Sequence, residues 1–126
     1  MQYAFLIYET SEAFAHRTAG AGDAYIGAWR AYYQACVTAG IYVGGDPLHL
    51  PETGTTVRQR DGKRIVQDGP YANTKEQLAG FIIMELPSLD AALEWAGRCP
   101  ATSVGAVEVR PLAPEAKERI VSEHPG

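Results

Sequence analysis

Two rhythms of apolar residues run along the chain, one of period two and one of helical period, and together they lay out its elements. Residues 2–8 place Phe5 and Ile7 on one face and Ala4, Leu6 and Tyr8 on the other, which predicts a strand covered on both sides. Residues 11–22 hold His16, Arg17 and the small run Ala19-Gly20-Ala21-Gly22, the pattern of a flexible connection or a weak helical turn. From Asp23, an N-cap residue type, Ile26, Trp29, Tyr33, Cys36 and Val37 recur at helical spacing as far as Ala39, and Gly40 provides the stop. Tyr25 and Tyr32 fall off that stripe. Residues 41–45 predict a short strand, and the two prolines of Asp46-Pro47-Leu48-His49-Leu50-Pro51 argue against regular pairing there.

A hairpin is predicted next. Residues 55–60 and 63–67 flank Asp61-Gly62, the pair a two-residue type I′ turn requires, and counting outward sets Val57 opposite Val66. Residues 81–86 are apolar on both faces and predict a central strand. Leu89, Ala92, Leu93 and Ala96 define a second amphipathic helix capped by Ser88, and Val107-Glu108-Val109-Arg110 alternates as a last strand. The tail from residue 113 contains a helical candidate over residues 114–122, and His124-Pro125-Gly126 is expected to be disordered.

Strand, helix, strand, hairpin, strand, helix, strand is the order of a ferredoxin-like α+β fold, an antiparallel sheet with two helices on one face and an extra β-hairpin. Two helices cover one face only, while the first and fourth strands are apolar on both. The other face is therefore expected to pack against a second subunit, as in a dimeric α/β barrel.

The chain's 126 residues, 46% of them hydrophobic, suffice for one domain without disulfide or metal staples. Its net charge of -4 argues against a nucleic-acid partner, and the short apolar start lacks the basic flank of a signal peptide or the length of a membrane span. A cytoplasmic protein is expected. The two cysteines, Cys36 and Cys99, form no metal-ligand or redox spacing and read as buried thiols. No metal site or cofactor motif is evident.

Candidate chemistry centres on the loop after the hairpin. Gly69-Pro70 forces a sharp exit from the strand beside Asp68, a carboxylate placed to act as general base or ligand anchor, or simply to bond turn amides. Thr74 and Gln77 have capping-box spacing, which predicts a helical turn from Lys75 ended by Gly80. Tyr71 is a candidate lid over a ligand. His49 is the accompanying proton carrier, in a loop that the topology brings toward Asp68.

Asp68-Gly69-Pro70-Tyr71, the block from Thr74 to Phe81 and Leu89-Asp90-Ala91-Ala92-Leu93-Glu94-Trp95-Ala96 resemble the YCII-related proteins of the DGPF type. The resemblance covers roughly residues 1–112, leaving residues 113–126 as a tail. Tyr71 stands where the family name has Phe, and Asn73 where a Glu is expected. The resemblance implies a ferredoxin-like dimer with a cleft, in some members holding a His/Asp pair, and association of some relatives with alternative sigma factors. The expected function is binding of a small polar metabolite in that cleft, with cofactor-independent proton transfer or isomerisation by Asp68 and His49. The alternative is a non-catalytic regulatory module docking through the basic hairpin residues Arg58, Arg60, Lys63 and Arg64.

Overall fold

In a computed structural model, which describes residues 1–122, the chain runs β1 (Gln2–Thr10), α1 (Ser11–Phe14), a 3₁₀ turn (Ala15–Thr18), α2 (Ala24–Thr38), β2 (Tyr42–Pro47), a second 3₁₀ turn (Pro51–Thr53), β3 (Thr55–Arg60), β4 (Lys63–Asp68), β5 (Glu76–Glu85), α3 (Leu89–Gly97), a third 3₁₀ turn (Pro100–Ser103), β6 (Gly105–Pro111) and α4 (Pro114–Ser122). The expectation for His124-Pro125-Gly126 lies outside the described residues. Four strands form an antiparallel sheet in the order β2-β5-β1-β6, and β3-β4 stand apart as a two-stranded hairpin. This is the expected ferredoxin-like α+β arrangement.

Both long helices cover one face of the sheet. Alternation aims Tyr3, Phe5 and Ile7 of β1 toward them, and the paired Met84 and Ile82 of β5 join this layer. Phe5 and Met84 are inaccessible to solvent. Helix α2 begins where predicted, the Asp23 carboxylate accepting from the Ile26 N–H at 3.0 Å. Helix α3 begins where Ser88 Oγ accepts from the Ala91 N–H at 3.1 Å. The two helices are tied by the Tyr32 hydroxyl, which donates to the Trp95 carbonyl at 2.8 Å.

The structure corrects several expectations. Tyr32, not Tyr33, is the core tyrosine of α2: Tyr32 is 6% exposed and Tyr33 51%. The inward line runs through half-buried Tyr25 and Trp29 and buried Tyr32 and Cys36, rotated from the predicted stripe because adjacent tyrosines fit either register. Leu89 and Leu93 are likewise half exposed, and α3 buries the small Ala92 and Ala96, which let it sit close to the sheet. Pro47 lies within β2, opposite Gly80; β2 is an edge strand, so the missing N–H costs no ladder bond.

No helical turn starts at Lys75. The chain enters β5 at Glu76, and Gln77 Nε2 instead donates to the carbonyls of Ala72 at 3.0 Å and Thr74 at 2.6 Å. The capping-box pair thus holds a turn closed rather than starting a helix. Gly80, expected as a helix stop, lies in β5, where a Cβ would meet the Asp46 carbonyl at 2.9 Å.

The hairpin matches its predicted register. Val57 pairs with Val66, and Asp61 and Gly62 turn with φ of 52° and 75°. Leu6, Ala4, Phe81 and Ile83 lie on the sheet face away from the helices, where Phe81 is 37% exposed.

Candidate functional site

A cavity of about 440 Å³ lies between α2 and the sheet, lined by Ile7, Glu9, Arg17, Tyr25, Trp29, Tyr32, Tyr33, Tyr42 and Met84 among others. Its walls are chiefly aromatic and apolar, and its polar groups are few, which is the usual constitution of a small-molecule site.

Glu9 is the central polar group. It continues the covered set of β1 after Ile7, so strand alternation carries its carboxylate onto the helix side, where it is 5% exposed. The Tyr25 hydroxyl donates to Glu9 Oε2. Burial, and next the bonded Glu9 carboxylate, push the Tyr25 phenol well above its ordinary value, so Tyr25 remains a neutral donor. Glu9 Oε1 has Arg17 Nη2 at 3.9 Å, an ion pair too long for a hydrogen bond.

Arg17 is positioned by an irregularity in the sheet. Ile7 pairs with Gly80 but Tyr8 with Leu78, so Ala79 is the extra residue of a β-bulge. The Ala79 carbonyl accepts from the Leu48 N–H at 2.7 Å and from Arg17 Nη2 at 3.0 Å. Arg17 Nη1 donates to the Leu48 carbonyl, and the guanidinium lies 4.7 Å from the centre of the Phe14 ring. One side chain thereby clasps the segment after β1 to the β2 and β5 side of the cavity.

Beside this cluster, His16 Nδ1 lies 2.7 Å from Asp23 Oδ2, and its ring centre is 5.0 Å from that of Tyr25. The His16 hydrogen bond, then the Ile26 N–H, hold the Asp23 carboxyl below the usual carboxylate value. An ionised Asp23 favours the tautomer in which His16 Nδ1 carries the proton and donates it to the carboxylate.

The sequence-derived candidates lie elsewhere. His49 and Tyr71 meet in a second hollow of about 480 Å³, with Tyr8, Leu48, Leu50, Pro51, Pro70, Thr74, Gln77 and Leu78. Tyr71 is 77% exposed, and the Leu50 N–H donates to His49 Nδ1 at 3.2 Å. Asp68 is exposed at the end of β4, opposite Thr55, and lines neither space. Gly69 beside it takes φ of 99°, and its N–H donates to the Gly54 carbonyl at 2.7 Å.

Cys36 and Cys99 are buried free thiols, as expected; burial pushes Cys99 up to about 12 and raises Cys36 as well. Among the described residues no His, Cys, Asp and Glu group is arranged to hold a metal, and no helix is long and apolar enough to cross a membrane.

With this geometry in view, residues 1–116 match the model of the YCII-related domain, and the chain belongs to that family. An uncharacterized protein of Rhizobium meliloti (strain 1021) is 48% identical over 67 residues, 51% of this chain and 54% of that protein. The match thus spans about half the length of that relative. Among solved structures, 5-chloro-2-hydroxyhydroquinone dehydrochlorinase from Burkholderia phenoliruptrix AC1100, in complex with 2,5-dihydroxybenzoquinone, is similar with a TM-score of 0.52 at 17% identity, covering 90% of this chain and 94% of that one. At that identity the likeness is one of fold.

Proposed function

We propose that the chain binds a small hydroxylated ring compound in the cavity between α2 and the sheet and moves a proton on it without a cofactor. The observation that carries this reading is the buried Glu9 carboxylate at the end of an aromatic-walled cavity, with Oε2 taken by Tyr25 and Oε1 without a hydrogen bond among the described residues. Trp29, Tyr33 and Tyr42 supply ring faces for a flat ligand. A ring hydroxyl reaching Oε1 satisfies the carboxylate, while a ligand without a donor there leaves it unpaired. The solved structural relative, which holds a dihydroxybenzoquinone, supports the choice of ligand class.

The proton step assigns Glu9 to holding the ring hydroxyl and His16, which Asp23 orients and which packs against Tyr25 outside the residues that line the cavity, to carrying the proton. Ring-proton exchange of hydroxyhydroquinone in heavy water, followed by NMR, tests it. The wild type is expected to accelerate exchange over buffer, and His16→Asn to lose about 10²-fold of that acceleration. Equal rates with and without protein refute the proton step.

The sheet face carrying Ala4, Leu6, Phe81 and Ile83 is proposed to be covered by a second copy, making the working unit a homodimer. A second location for the ligand is the outer hollow, favoured by the meeting of His49 and Tyr71. In that case Tyr71→Ala weakens binding, and Asp68→Ala does so only if Asp68 turns inward from its exposed position.

A further inference from the structure

The β3-β4 hairpin makes no ladder bonds with the four-stranded sheet. All six residues of β4 are exposed, and the directly paired Val57 and Val66 are 59% and 51% exposed, so an apolar cross-strand pair faces water. A lone two-stranded hairpin is marginal in water and gains stability by packing that pair against something. Arg58, Arg60, Lys63 and Arg64 stand on it against Asp61 and Asp68, in a chain whose net charge is -4. Arg58 Nε is shielded from solvent and has no acceptor among the described residues.

We infer that this hairpin is a docking arm for a second copy of the chain. The body outside the hairpin carries the chain's excess acid, so each copy offers a basic arm and an acidic body, and a two-fold pairing satisfies both arms at once. The base of the arm also borders the open sheet face: Pro51, Gly54 and Pro70 share a hollow with Tyr8 and Leu78, which pair across β1 and β5. Arm and open face thus form adjoining surfaces, and the inference rests on the self-association proposed above. Val57 and Val66 supply the apolar contact, and the Arg58 guanidinium meets carboxylates of the other copy.

Sedimentation equilibrium of the purified full chain tests this, comparing wild type with the triple variant Arg58→Glu, Arg60→Glu, Arg64→Glu and with Val57→Ser, Val66→Ser. Circular dichroism confirms that each is folded, and the valine pair provides a variant free of introduced charge. The arm predicts a wild-type dimer whose Kd rises with salt, a Kd at least about tenfold weaker in the triple variant, with most of that salt dependence lost, and a weaker Kd in the valine variant. A dimeric wild type with unchanged Kd in both variants overturns the arm and leaves open-face association intact. A wild type that is monomeric at every concentration overturns both, and an acidic protein other than this chain then becomes the arm's occupant.

Discussion

Tyr25 donates its hydroxyl to the buried Glu9 carboxylate, joining the first turn of α2 to the end of β1 at the polar end of the cavity. A hydrogen bond to a shielded charge is worth more than one between neutral groups, because the charge has little water to fall back on. Tyr25→Phe is therefore expected to lower stability by roughly 1.5–3 kcal/mol, measured by urea unfolding. Loss well under that range indicates that water replaces the phenol.

Asp23 gives a pH signature with a definite sign. Its folded-state value is held below its ordinary one by His16 and the Ile26 N–H. Its stabilising contribution is thus fully present above the ordinary carboxylate value and is lost as pH falls through the depressed folded value. Asp23→Asn keeps a good capping residue but removes the charge. The Tm gap between wild type and variant should be widest near neutrality and close in acid; a gap independent of pH contradicts the assignment.

Arg17 joins Leu48, Ala79 and the Phe14 ring at the cavity. Arg17→Met removes both carbonyl contacts while keeping much of the stem. Trp29 lines the cavity and reports on the change: in a Trp95→Phe background, acrylamide is expected to quench Trp29 more strongly in the variant. Unchanged quenching means that the segment stays seated without Arg17.

Gly45 has φ of 147°, and a Cβ there would run into the Phe81 carbonyl. Gly45→Ala must push β2 away from β5 along the cavity wall. A loss of about 1–3 kcal/mol or more is expected from such crowding, read from the urea midpoint. A neutral Gly45→Ala would show that the edge strand moves freely.

The fold was legible because its signals are local. Asp23, Ser88 and Asp61-Gly62 each mark a boundary through their own hydrogen bonds or φ values, and the structure has them in those roles. The Thr74 and Gln77 pair misled because the same side-chain bonds that cap a helix also close a turn into a strand. The cavity was harder to read. Glu9 carried a signal, since it continues the Phe5 and Ile7 alternation, but Arg17 depends on a bulge at Ala79 that no local pattern announces. The pairing of His16 with Asp23 spans seven residues of irregular chain, and only the folded segment after β1 brings them together.

Thermal unfolding of wild type, Glu9→Leu and Tyr71→Ala against hydroquinone and hydroxyhydroquinone bears most directly on the proposed ligand site. A ligand bound only by the folded state raises Tm with concentration. The account predicts that rise in wild type and Tyr71→Ala and its loss in Glu9→Leu. No rise in wild type, an equal rise in Glu9→Leu, or a rise lost only in Tyr71→Ala would contradict it.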